Sequence, residues 1–392
     1  MHRIQGLKDL ALCFLVLWLL IDVDNLQVLY TNYSIFFEKN FYLKYNKDGC
    51  EIMNLYDLTI KELEDYFVEK NDKKFRATQV FEWLYLKRIN NISDMTNIKK
   101  ETLSMLEEEF TLNTITLVEK QEDVDVKKYL FKLSDGEVVE AVLMKHIYGN
   151  SICVSSQVGC NMGCKFCESG RRKKVRNLKT HEMVEQILKV EAMENVRISH
   201  VVVMGIGEPF DNYDNLIRFI EIINYPKGLA IGARHITVST CGVVPKIKEF
   251  MYLPYQVNLA ISLHAPNNEI RNKIMPINKA YDIHELIDAL KEYSLHTNRR
   301  ITFEYILLSG VNDSTDNARE LAKLLRGMNC YVNLIPYNET SHIDFKRSSS
   351  ESIHNFYDTL KKCGISVTIR REYGGKISAA CGQLRSKKEE GK

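Results

Sequence analysis

Seven prolines in 392 residues leave no long proline-rich linker, and no internal repeat or low-complexity tract stands out. A membrane span is missing as well. The apolar run Leu10–Ile21 has twelve residues, short of the roughly 18 to 20 that a helix needs to cross a bilayer, and Asp22 and Asp24 close it. Net charge is almost absent: 53 Lys and Arg against 51 Asp and Glu leave +2, so a polyanion must be met by a local basic surface. No disulfide framework shows either. Ten cysteines are spread over the chain, and Cys13, Cys50, Cys241, Cys330 and Cys363 have no partner by spacing and read as small core hydrophobes. Four others fall between Cys153 and Cys167, which points to metal binding in a reducing compartment such as the cytoplasm. With 45% hydrophobic and 27% charged residues the composition is globular, and the length suits two or three domains.

The first 52 residues differ in texture from the rest of the chain. A secretory leader would end in a small-residue cleavage site, yet the chain continues DVDNLQVLYTNYSIFF. At Met53 the texture becomes that of a soluble domain: Thr59 and Glu62 form a T-x-x-E capping box, and apolar residues recur at helical spacing. Residues 1–52 are therefore expected to be an atypical extension, with Met53 the expected initiator.

Residues 53–110 predict a helical accessory domain with amphipathic stretches at Leu58–Lys70, Ala77–Leu86 and Lys100–Glu109. Over 111–150 the period changes to two, with Asp135-Gly136 as a hairpin turn, which predicts a short β linker element. From 151 to 385 strand-like runs (ICVSS, SHVVVMG, HITVSTC, QVNLAISL, RITFEYILL, CYVNLIP, ISVTIRR) alternate with helical stretches, and 386–392 form a frayed tail. Repeated βα units imply an α/β fold with a parallel sheet and its chemistry at the carboxyl ends of the strands.

After the first of these strands comes CNMGCKFC, a Cx3Cx2C loop with Cys160, Cys164 and Cys167. Three thiolates so close together can hold a [4Fe-4S] cubane by three corners and leave one iron open. Structural zinc wants four ligands, and no fourth is obvious at matching spacing. The loop resembles that of the radical S-adenosylmethionine (radical SAM) superfamily, with Phe166 at the usual aromatic position. That resemblance implies a partial (β/α)6 TIM-like barrel, a [4Fe-4S] cluster and S-adenosyl-L-methionine. Gly205-Ile206-Gly207-Glu208-Pro209 resembles the superfamily segment that holds the methionine amine.

A narrower resemblance covers Met53 to about Arg385. FRATQVFEWLY, CVSSQVGC, GEPFDNYDN, ARHITVSTCG, VNLAISLHAPN, RITFEYILLSGVND, VNLIPYN and AACGQLR are similar to stretches of the radical SAM adenine C2-methyltransferases of large-subunit ribosomal RNA and of their C8-methylating relatives. By that resemblance Cys381 carries a methyl group as S-methylcysteine, Cys153 resolves the enzyme–RNA adduct through a transient disulfide, and Glu140 is the candidate proton acceptor. It likewise implies that Gly207, Glu208, Ser239, Ser262, Leu263, His264 and Asn338 contact S-adenosyl-L-methionine, two molecules being used per turnover. The implied partners are 23S rRNA, with tRNA a second candidate, and an electron donor such as flavodoxin or ferredoxin; no stable membrane partner is expected. Lys165, Arg171, Arg172, Lys173, Lys174, Arg176 and Lys179 form a basic run beside the cysteine loop that would suit an RNA backbone. The chain departs from the family pattern at Glu168-Ser169, at the basic insert and at Lys376-Ile377-Ser378. Two rival readings are the C8-methylating relative and a non-catalytic zinc-stabilised RNA-binding protein.

Overall fold

The computed structural model describes residues 53–340 and 342–370. Three helices come first: α1 (Ile60–Glu69), α2 (Phe75–Glu82) and α3 (Lys100–Glu109). Ten strands then form one sheet, in which spatial order follows chain order. They are β1 (Thr116–Asp123), β2 (Val126–Lys132), β3 (Val138–His146), β4 (Gly149–Cys153), β5 (Ile198–Val203), β6 (Ile236–Thr240), β7 (Asn258–Ser262), β8 (Ile301–Leu307), β9 (Cys330–Pro336) and β10 (Val367–Ile369). Strands β1 to β4 pair antiparallel through tight turns. From β4 onward every pair is parallel, which requires a crossover at each step. The crossovers are α4 (Thr180–Glu194), α5 (Tyr213–Asn224), α6 (Val244–Phe250), the pair α7 (Asn268–Ile274) and α8 (Ile283–Thr297), α9 (Thr315–Leu324) and α10 (Ser350–Lys362). Six βα units and a closing strand make up the partial (β/α)6 barrel that the family resemblance implies, and each of the seven strand-like runs overlaps one of its strands.

Alternation along these strands separates two surfaces. Val203, Val238, Leu259, Ile261, Phe303, Tyr305, Val332 and Leu334 are buried on the outward face, together with Leu216, Phe219 and Ile220 of α5. In register on the inward face stand Ser262, Glu304, Asn333 and Thr368, and Ser239, paired with Ala260, shares that face. A parallel sheet covered on both faces would read as continuous apolar runs. Here one face is packed by helices and the other is polar, the pattern of a sheet curled around a binding cavity.

Among the described residues, Asn54–Glu107 cluster in one unit with those that follow from Thr111. The capping box that starts α1 is formed: Thr59 Oγ1 accepts from the Glu62 backbone N–H at 3.3 Å, and Glu62 Oε2 accepts from that of Thr59 at 2.8 Å. Glu62 also takes Arg218 Nη1 of α5 at 2.6 Å, so the cap ties the first helix to the barrel. A second tie joins Asp57 to the start of α4, where Oδ1 accepts from His181 N–H and Oδ2 meets His181 Nδ1, both at 2.8 Å. Burial alone would lower the His181 pKa, but Asp57, with Glu182 and Glu185 behind it, carries it above the ordinary 6.5. A folded-state pKa above the unfolded one gives stability that is complete below about pH 6.5 and is lost as pH rises through the folded value. Thermal unfolding should therefore show this contribution fading above about pH 6.5 in the native protein but not in Asp57→Asn. Parallel pH profiles for the two would refute the linkage.

Candidate active site

The cavity lies at the carboxyl ends of the parallel strands. It is lined by Cys160, Cys164, Phe166 and Cys167 from the loop after β4, Gly205, Gly207 and Glu208 after β5, Ser239 and Cys241 around the end of β6, and Ser262 and His264 around the end of β7. Glu304 and Ile306 of β8, Ile335 of β9 and Arg370 beyond β10 complete the wall. Residues that follow strands from β4 to β10 thus meet around one space, which shows that the open sheet curls.

Local hydrogen bonds fix the cysteine loop. Cys160 N–H donates to Arg172 O at 2.9 Å, Lys165 N–H to Ile274 O at 2.9 Å and Cys167 N–H to Cys164 O at 3.2 Å. Gly163 turns the chain at φ +62°. The three thiols form no disulfide among the described residues, and burial pushes Cys160 up to about 12 and Cys164 well above its ordinary value. Thiolates held here need a cation beside them, which the irons of a cluster would supply. Among the described residues no three His, Cys, Asp or Glu side chains converge closely enough to hold a single metal ion.

Behind the loop is a scaffold that the motif does not announce. Ser155 Oγ donates to Glu140 O at 2.6 Å and accepts from Ile206 N–H at 3.0 Å, while Gln186 Oε1 accepts from Ser155 N–H at 2.9 Å. Gln157 accepts from Glu208 N–H at 2.9 Å and donates to Asn177 and Asp211 at 2.8 and 2.9 Å. Asn212 Nδ2 spans Ser156 O and Leu178 O, each at 2.8 Å. These bonds draw the β4 and β5 loops so close that a Cβ at Gly207 (φ +112°) would lie 2.6 Å from Gln157 Cβ.

Glu208 is buried, accepting from Phe210 N–H at 3.0 Å and from Cys241 N–H at 2.8 Å, and burial raises its pKa. His264 is held at φ +58°, its ring edge-on to Phe166 at 4.8 Å. Its Nδ1 accepts from Ile306 N–H at 3.0 Å, which puts the ring proton on Nε2. Burial and Arg271 lower its pKa to about 3, so the imidazole is neutral. Asn312 secures this corner by donating to His264 O at 2.8 Å and Ile306 O at 2.7 Å.

The sequence-derived residues are thus partly assembled. Gly207, Glu208, Ser239, Ser262 and His264 share one cavity with the three cysteines. Leu263 is buried and meets its neighbours through its backbone, with its N–H donating to Glu304 O and its carbonyl accepting from Arg271. Asn338 follows β9 and does not line the cavity. Cys153 ends β4 opposite Val142 of β3, and Glu140 lies two residues along on the same sheet face. Cys153 packs with Val142, Met144, Ile206 and Met204, and Met204 is also part of the cavity wall. Glu140 is buried, in an ion pair with Lys128 at 3.3 Å. Cys153 forms no disulfide among the described residues, and Cys381 lies outside them.

The basic run needs a correction. Arg172 pairs with Glu137, Lys174 with Asp211, and Arg176 with Asp135 and Glu182, all at 2.7 Å, while Arg171 lies 3.3 Å from Glu168. Much of the charge counted from sequence is spent fastening the loop. Glu168, where the chain departs from the family pattern, is buried, and its Oε1 has no hydrogen-bond partner among the described residues.

Residues 154–322 match the radical SAM superfamily, and residues 53–112 match the ribosomal RNA large subunit methyltransferase N-terminal domain. Proteins named probable dual-specificity RNA methyltransferase RlmN are similar over most of their length. That of Acholeplasma laidlawii is 54% identical over 335 residues, 85% of this chain and 99% of its own. That of Listeria welshimeri is 56% identical over 346 residues, 86% of this chain and 94% of its own. The chain belongs to the RlmN family of radical SAM RNA methyltransferases. A solved structure of a radical SAM methyltransferase from Sphaerobacter thermophilus superposes with a TM-score of 0.81 at 43% identity, covering 85% of this chain and 99% of that one. Membership implies a [4Fe-4S] cluster and S-adenosyl-L-methionine, and the three cysteines around one cavity fit the first of these. Among the described residues no helix is long and apolar enough to cross a membrane.

Proposed function

We propose that this RlmN-family enzyme methylates C2 of an unpaired adenosine in the peptidyl-transferase region of 23S rRNA, with tRNA as a second substrate. Adenine C2 lies between two ring nitrogens and is electron-poor, so it cannot attack an electrophilic methyl group directly. When bound, the cluster and two molecules of S-adenosyl-L-methionine per turnover supply one methyl group and one hydrogen-abstracting radical. In this reading Cys381 carries the methyl on its sulfur, and after loss of a hydrogen atom that carbon bonds to C2 of the base. Glu140 accepts the C2 proton, and the unpaired electron left on the adduct passes to an acceptor, which the cluster would supply when bound. Cys153 then attacks the Cys381 sulfur, freeing the methylated base and leaving a transient disulfide. A base that reaches such a site must be flipped out of any stack.

The observation that supports this reading is the shared sheet face of Cys153 and Glu140, beside a wall that also bounds the cysteine-lined cavity. The test is anaerobic reconstitution with iron and sulfide, then incubation with protein-free 23S rRNA and methyl-labelled S-adenosyl-L-methionine. Digestion should yield 2-methyladenosine, with S-adenosylhomocysteine and 5′-deoxyadenosine appearing in equal amounts. Finding 8-methyladenosine would assign the chain to the C8-methylating relatives, and a colourless protein free of iron would restore the zinc reading.

A further inference from the structure

At the opposite end of the barrel, where the parallel strands begin, another set of ring and guanidinium side chains gathers. Tyr148, at the β3–β4 turn, is 63% exposed; its ring lies flat on His146 at 4.7 Å and edge-on to His200 of β5 at 5.3 Å. His200 stacks in turn on His235, just before β6, at 4.3 Å and 17°. The row continues through arginines. Arg234 donates to Gln256 at 2.8 Å, Arg299 donates to Asn258 at 2.7 Å, and Arg300 covers the Tyr331 ring at 5.0 Å.

The charge of this row is not compensated. Arg234, Arg299 and Arg300 form no ion pair among the described residues, in contrast to Arg172, Lys174 and Arg176 beside the cavity. The nearby acids, Glu122 on the β1–β2 hairpin and Glu194 at the end of α4, are already held by Lys120 and Lys127. Nor do the histidines form a metal site, since among the described residues no such group is arranged to hold an ion. Burial, then His235 and His146, push the His200 pKa below its ordinary range, so its ring is neutral at pH 7 and acts as a flat surface.

We propose that the amino-terminal mouth of the barrel is a second RNA-binding surface, where unpaired bases stack on Tyr148 and the histidines and the arginines follow the phosphate backbone. Stacking rings interleaved with unpaired cations are the chemistry that holds single-stranded nucleic acid. An acidic electron-donor protein would also find positive charge here, but it would face the end of the barrel remote from the cysteine loop and would have no use for stacking rings. The proposal rests on the RNA substrate of the family, and it adds a contact that holds a large RNA at a distance from the reacting base.

Two probes separate this surface from the active site: protein-free 23S rRNA, and a short hairpin carrying the target adenosine that can fill only the cavity. Arg234→Glu with Arg300→Glu should weaken binding of 23S rRNA by roughly tenfold or more and reduce the slope of log affinity against log salt by about two. Methylation of the hairpin should stay at the native rate. Tyr148→Ala, at an exposed turn, should weaken 23S rRNA binding by roughly fivefold with the salt slope unchanged. Native affinity and slope in these variants, while the native protein binds 23S rRNA, would overturn this surface alone. Failure of the native protein to bind either RNA would overturn both this proposal and the reading on which it rests. Loss of reduction by an acidic electron-transfer protein with RNA binding intact would overturn it in favour of a protein partner.

Discussion

Cys153→Ala should leave the protein covalently joined to its RNA. The proposed sequence forms a carbon bridge between the Cys381 sulfur and C2 of the base, and only attack at that sulfur breaks it. Cys153 forms no disulfide among the described residues and stands at the carboxyl end of β4, on the inward face, packed against a residue of the cavity wall, where the proposed attack would need a thiol. Alanine removes one sulfur atom from a small apolar cluster, a loss of about 1 kcal/mol that the fold can absorb. Turnover should fall on the order of 10³-fold or more, because a covalent route that loses its release step stops after one cycle. The product to look for is a protein band shifted by labelled RNA on a denaturing gel and restored by ribonuclease. Free methylated RNA released from Cys153→Ala at close to the native rate would remove Cys153 from the mechanism.

What could be read from the sequence was local. CNMGCKFC puts three ligands within eight residues, so its meaning needs no fold. The seven parallel strands were visible because β-branched and apolar residues recur between turn signals. Even the polar inner face lay in the alternation of stretches such as QVNLAISL, where Asn258, Ala260 and Ser262 share one side. What stayed hidden depends on pairs distant in sequence. Arg172, Lys174 and Arg176 looked like a free basic surface because Glu137, Asp135 and Asp211 come from a hairpin and from a loop elsewhere in the chain. Ser155, Gln157 and Asn212 lie in stretches that carry the family resemblance, but their bracing role depends on partners across two strand ends. Asn338 was grouped with cavity residues by resemblance, and its loop leaves it off the wall.

Arg271 is the strongest case of this kind, and its loss should cost the fold most. In sequence it sits among Asn268, Glu269, Asn272 and Lys273 and resembles any exposed helical arginine. In the structure it is fully buried. Its Nη2 donates to Cys241 O at 2.6 Å, Nη1 to Asn278 Oδ1 at 2.9 Å and Nε to Leu263 O at 3.3 Å. One guanidinium thereby joins the loop after β6, the loop after β7 and the turn beyond α7. Arg271→Ala would leave those acceptors buried and unpaired, a penalty of about 3–5 kcal/mol, which corresponds to a fall in Tm of roughly 10 °C. The cavity should suffer with the fold, because the Cys241 N–H that Arg271 helps to place donates to Glu208, and Leu263 precedes His264. Binding of S-adenosyl-L-methionine, measured by calorimetry at a temperature where the variant is folded, should weaken in Arg271→Ala. Arg271→Lys should recover part of the stability but less of the binding, since an ammonium cannot reproduce the three-way planar fork. Should Arg271→Ala melt within about 2 °C of the native protein, the carbonyls would have found other donors and the guanidinium would not be what holds these loops together.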